Sequence, residues 1–66
     1  MAIDIIPLPV ARKLANLTQK ELAELCGVSE STVINWEKYR TEPSVSQAQR
    51  IADACGRKYD EIKFLP

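Results

Sequence analysis

The feature that most constrains this chain is a break of only two residues between two helical patterns. Thr18, followed three residues later by Glu21, makes a capping box in which a hydroxyl and a carboxylate each satisfy an orphan backbone amide. It opens a helix whose apolar residues Leu22, Ala23, Leu25 and Cys26 are spaced for one broad face. Gly27 suits the left-handed conformation that stops a helix, and Ser29 is a good N-cap for the run from Glu30 to Glu37. Two helices joined this tightly must cross steeply, and close crossing requires a small residue where the backbones meet. Ala23 supplies it, while Leu22, Cys26, Val28, Val33 and Trp36 form the apolar set that locks the two helices together.

Elsewhere apolar residues recur every three or four positions and no segment shows the sustained alternation of a strand, so the expected class is all-α. Pro7 and Pro9 restrict the residues before them; residues 1–8 read as an extended arm, with a first helix from about Pro9 or Val10 to Asn16. Tyr39 to Pro43 reads as a loop. Ser44 and Gln47 form a second capping box, opening a fourth helix through Val45, Ala48, Ile51, Ala52 and Cys55 to a stop at Gly56. A short fifth turn at about Tyr59 to Ile62 precedes the apolar tail Phe64-Leu65-Pro66. A length of 66 residues is one domain, because chains divide into several cores only at several times this size.

Composition removes several function classes. There is no histidine, and Cys26 and Cys55 lack the paired spacing of a zinc site, so no metal and no cofactor are expected. Both cysteines stand where an apolar residue is wanted and read as core thiols rather than a disulfide. Without histidine or a glycine-rich phosphate loop no nucleophile and base can be assembled, so no catalytic residue and no small-molecule ligand are expected. No apolar run approaches the ~20 residues of a membrane span, and no signal peptide pattern is visible, which together place the expected site in the cytoplasm. Nine basic and nine acidic residues cancel, which argues against coating nucleic acid by bulk charge but leaves room for a local basic edge.

The segment Leu17-Thr18-Gln19-Lys20-Glu21-Leu22-Ala23, with Gly27-Val28-Ser29, Thr32-Val33 and Trp36-Glu37, resembles the helix-turn-helix of the phage Cro and repressor family, the lambda repressor-like or XRE type. Pro43-Ser44 and Ile51-Ala52, Ala54 and Gly56 resemble its fourth helix, so the similarity runs from about Val10 to Leu65. The resemblance implies a compact five-helix bundle whose third helix enters the DNA major groove. It further implies a transcriptional regulator of phage or prophage origin, with a double-stranded operator as partner and a homodimer at least on DNA. Asn16 and Tyr39 stand where the family commonly has a small residue, often glycine, so those turns carry strain or draw on asparagine's tolerance of positive φ. Gln49 and Arg57 replace residues that are usually apolar.

A helical wheel over residues 29–38 puts Val33, Trp36 and Glu37 on one side and Ser31, Asn35 and Lys38 roughly opposite. With the first turn deepest in the groove, Glu30, Ser31, Thr32 and Asn35 are the candidates for base contacts. Glu30 also has a plain role at a helix start, where a carboxylate favours the dipole, and Ile34 is either a thymine-methyl contact or an incidental exposed side chain. Candidates for phosphate contacts are Gln19, at a helix N-terminus, and Lys38, Tyr39 and Arg40 beyond the recognition helix, with Lys13 in addition. Resemblance to the family implies that Arg12 pairs with Glu37. Phe64 and Leu65 are the expected dimer contacts. A protein of another class, an antitoxin or adaptor acting through a protein partner, is the alternative.

Overall fold

In the computed structural model, which describes residues 5–64, the chain runs through β1 (Ile6–Pro7), α1 (Leu8–Leu14), α2 (Gln19–Cys26), α3 (Glu30–Glu37) and α4 (Val45–Cys55). A 3-10 turn (Tyr59–Glu61) and β2 (Ile62–Lys63) follow. The helix starts are those the sequence dictates. Thr18 and Glu21 exchange bonds of 2.9 and 3.0 Å, Ser44 and Gln47 bonds of 2.8 and 3.2 Å, and Ser29 accepts the Thr32 amide at 3.3 Å. These side chains satisfy donors that a helix leaves without intrahelical partners.

All four α-helices among the described residues end in one backbone arrangement. After α2 the Gly27 and Val28 amides donate back to Glu24 and Ala23 at 3.2 and 3.0 Å, and after α4 Gly56 and Arg57 donate to Asp53 and Ala52 at 3.2 and 2.9 Å. After α1 the donors are Asn16 and Leu17, at 3.0 and 3.1 Å, and after α3 they are Tyr39 and Arg40, at 3.1 and 3.0 Å. This pair of hydrogen bonds requires a left-handed residue, and φ is 70° at Gly27, 68° at Gly56, 59° at Asn16 and 58° at Tyr39. Asparagine tolerates that conformation; tyrosine has neither glycine's freedom nor asparagine's local hydrogen bonding.

Leu8, Ala11, Leu22, Val33 and Ile51 form the centre of the core, joined by Ala23, Cys26, Trp36, Ala52, Cys55 and Ile62. Both thiols are free and buried, and burial pushes both above the ordinary thiol range, with each other's proximity adding to the effect at Cys55. They stay protonated near neutral pH and are poor nucleophiles. Leu25, expected on the core face of α2, is instead 59% exposed. At about 100° per residue it lies well to one side of the arc from Leu22 through Cys26, and it borders an open groove with Arg50, Asp53 and Ala54. Val45, at the start of α4, is likewise exposed.

Three further expectations are corrected. The chain is mostly helical but not all-α, because β1 and β2 pair in parallel, Ile6 opposite Ile62 and Pro7 opposite Lys63. Strands of two residues are too short for alternation to register in sequence. The extended arm therefore ends in a paired strand, and α1 spans Leu8–Leu14 rather than reaching Asn16. Pro9 sits in its first turn, where a missing amide costs nothing, and the left-handed Asn16 terminates it. The fifth helix is a single 3-10 turn, with the Glu61 carboxylate accepting the Lys58 amide at 2.8 Å. Residues 1–4 of the arm and Leu65 lie outside the described residues. No helix among the described residues is long and apolar enough to cross a membrane.

Candidate nucleic-acid interface

The interface is built on how α3 is held. Val33 and Trp36 point into the core, with 0% and 3% exposure, and Glu37 beside them is almost as deeply enclosed. The Arg12 Nε donates to Glu37 Oε2 at 2.6 Å and its Nη2 to Oε1 at 3.4 Å, which is the pairing that the resemblance implied. Arg12 Nη1 donates to the Leu17 carbonyl at 2.8 Å, so all three guanidinium nitrogens are engaged. The network ties α1 to α3 and to the segment before α2, fixing the rotation of α3 about its own axis.

That rotation leaves the opposite side outward. Glu30 and Ser31 are exposed, and Thr32, Ile34 and Asn35 are half-buried. The Thr32 hydroxyl is bonded to Ser29 at 2.9 Å, whereas no hydrogen bond among the described residues engages the side chains of Glu30, Ser31 or Asn35. An amide with free donor and acceptor can bond bidentately to adenine, and a free hydroxyl or carboxylate can take a base amino group. Beyond the helix, Lys38 and Arg40 are exposed on either side of the half-buried Tyr39. The left-handed Tyr39 turns the chain there, so two cations and a phenol follow directly after α3 in the chain.

Gln19 opens α2 and is half-buried, and its Nε2 donates to Glu37 Oε1 at 3.0 Å. The structure thus brings Gln19, Arg12 and Glu37 together. Lys13 is exposed on α1. Phe64 lies against its own domain, half-buried, its ring 5.6 Å from that of Tyr59 at 34°. The bond between Gln19 and Glu37 had no signal in the sequence, since it joins side chains from two helices that only packing brings together. Arg50 also went unremarked: a Cβ on Gly27 would meet its Nη1 at 3.9 Å, so its guanidinium reaches the turn between α2 and α3.

A helix locked on one side, polar and unpartnered on the other, and joined to its predecessor through Gly27-Val28-Ser29 defines a helix-turn-helix unit. The chain belongs to the helix-turn-helix family, whose model matches residues 11–62. It is 50% identical over 54 residues, 82% of this chain and 78% of the relative, to an uncharacterised HTH-type transcriptional regulator of Methanothermobacter thermautotrophicus. It is 45% identical over 51 residues, 77% of each chain, to another such regulator from Methanocaldococcus jannaschii. A third, from Archaeoglobus fulgidus, is 38% identical over 47 residues, 71% of this chain and 66% of the relative. No solved structure matches the chain.

Proposed function

We propose that this protein is a sequence-specific double-stranded DNA-binding transcriptional regulator that places α3 in the major groove. The observation that carries the reading is the outward side of α3, where Ser31 and Asn35 keep their hydrogen-bonding capacity unspent in a scaffold whose other helix-start side chains are satisfied. Glu30, Ser31, Thr32 and Asn35 contact base edges; Gln19, Lys38, Tyr39 and Arg40 contact phosphates. The type of regulator proposed is that of the Cro and repressor family, which its helix-turn-helix resembles. The phage or prophage source finds no support in the relatives, which come from cellular organisms, and DNA binding does not depend on it.

One recognition helix reads too few base pairs to select a site in a genome, so the protein binds as a homodimer at least on DNA. Phe64 and Leu65 are the contacts assigned to it. Tyr59, whose ring lies 5.6 Å from that of Phe64, is itself 46% exposed, which gives a second copy an aromatic residue to cover. Selection from a random duplex pool is expected to return a pseudo-palindrome with half-sites about 34 Å apart. Failure to enrich any sequence rejects the function, and a single half-site rejects the dimer. Lys38→Ala or Arg40→Ala should weaken binding to all sequences alike and reduce the salt slope by about one unit per contact. An unchanged slope places these cations off the interface.

A further inference from the structure

Glu37 sits in a poor place for a carboxylate. It is the last residue of α3, where the helix dipole disfavours negative charge, and its side chain is 7% exposed, where desolvation costs most. Arg12 cancels its charge, but a buried pair of this kind is commonly replaceable by apolar residues without loss of stability. The pair has one bond more than that role needs. Oε1 accepts not only Arg12 Nη2 but also the Gln19 amide, and Gln19 stands at the first position of α2 beside backbone amides of the first helical turn.

The carboxylate partner fixes which end of the glutamine amide is nitrogen, because only N–H groups can approach it. An amide nitrogen carries two hydrogens. One is spent on Glu37, and no other hydrogen bond of the Gln19 side chain occurs among the described residues. We propose that Glu37 is a positioning residue for DNA binding: by accepting the Gln19 amide together with the Arg12 guanidinium, it holds that side chain ready to donate its second N–H to a backbone phosphate. This rests on the DNA-binding reading above. An ordered glutamine loses little rotamer freedom when DNA arrives, whereas a free one loses much. Since Arg12 neutralises Glu37, the carboxylate gives this benefit without presenting net charge to the phosphates.

The test is a cycle of three variants, Gln19→Ala, the double change Arg12→Met with Glu37→Met, and all three together, titrated with a 20-base-pair random-sequence duplex at low salt. The methionine pair keeps the buried volume apolar, and circular dichroism reports folding separately. Gln19→Ala and the methionine pair are each expected to weaken binding about three- to ten-fold, and the triple variant no further, with the salt slope unchanged because Gln19 is uncharged. If the methionine pair weakens binding equally with and without Gln19→Ala, its effect is structural and the proposal is overturned. If Gln19→Ala binds as tightly as the unaltered protein, the phosphate contact and the proposal fall while DNA binding stands. If the unaltered protein does not bind the duplex, the functional reading itself fails. Should the methionine pair not fold, nitrogen-15 spectra of the unaltered protein decide. One Gln19 side-chain proton protected from exchange in the free protein, and the other shifting on duplex addition, supports the positioning; two unprotected, unshifted protons overturn it.

Discussion

The inward side of α3 carries Val33, Trp36 and Glu37, each in contact with the rest of the chain, while the outward side carries Ser31 and Asn35 with no hydrogen-bond partner among the described residues. The two sides share a backbone, a length and a cap, yet their side chains answer to different demands. Inward residues are set by volume and by the need to satisfy buried polar groups. Outward residues are set by what the protein binds, since folding gains little from a helical asparagine. The comparison therefore divides stability from recognition along one helix, and each half can be tested against the other.

The largest effect belongs to the inward side. Arg12→Ala leaves the Glu37 carboxylate buried and unpaired, at a cost of about 3–5 kcal/mol. In a domain this small each kcal/mol moves the melting temperature by roughly 4–8 °C, so a thermal scan without DNA should show a collapse of the transition. Equal melting curves would break the division at once. The outward counterpart is Asn35→Ala, which should change stability by less than ~0.5 kcal/mol and operator affinity by about 1–3 kcal/mol at a single base pair. Binding to operators altered one position at a time separates base contact from backbone contact. A destabilised Asn35→Ala protein would move this half-buried residue to the structural side.

Smaller effects sharpen the comparison at the helix ends. Gly27 and Tyr39 occupy equivalent left-handed positions after α2 and α3, with φ of 70° and 58°. Gly27→Ala should cost about 1 kcal/mol from backbone strain, the space beside it being adequate. Tyr39→Gly should stabilise by up to about 1 kcal/mol while weakening DNA binding. Denaturant titration of both variants reads the signs. A Tyr39→Gly protein no more stable than its parent would mean that contacts of the phenol with its own domain offset the strain.

Whatever depends on neighbours in sequence was legible. The Thr18–Glu21 and Ser44–Gln47 boxes and the glycine stops at Gly27 and Gly56 are local chemistry, and the structure has them where they were expected. The positive φ of Asn16 and Tyr39 was foreshadowed only by the family resemblance, as was the Arg12–Glu37 pair. Periodicity overreached at Leu25, because apolar spacing defines an arc but not its edge. The parallel pair of strands was invisible, since two residues carry no period. Within the candidate interface, the wheel put Asn35 and Lys38 opposite Val33, yet it could not show that Gln19 leans on Glu37, a contact made by packing alone.

The pairing of Ile6 with Ile62 has a kinetic consequence. Parallel strands cannot be joined by a tight hairpin, and here the crossover between them is the entire helical body. Closing a loop that long is entropically costly until the intervening chain has already collapsed, and a pair of two-residue strands has no stability of its own. The expected order is therefore helical body first and strand pair last. On that order, strengthening the pair is expected to slow unfolding and leave the folding rate nearly unchanged, which folding and unfolding rates of a strengthened variant would check.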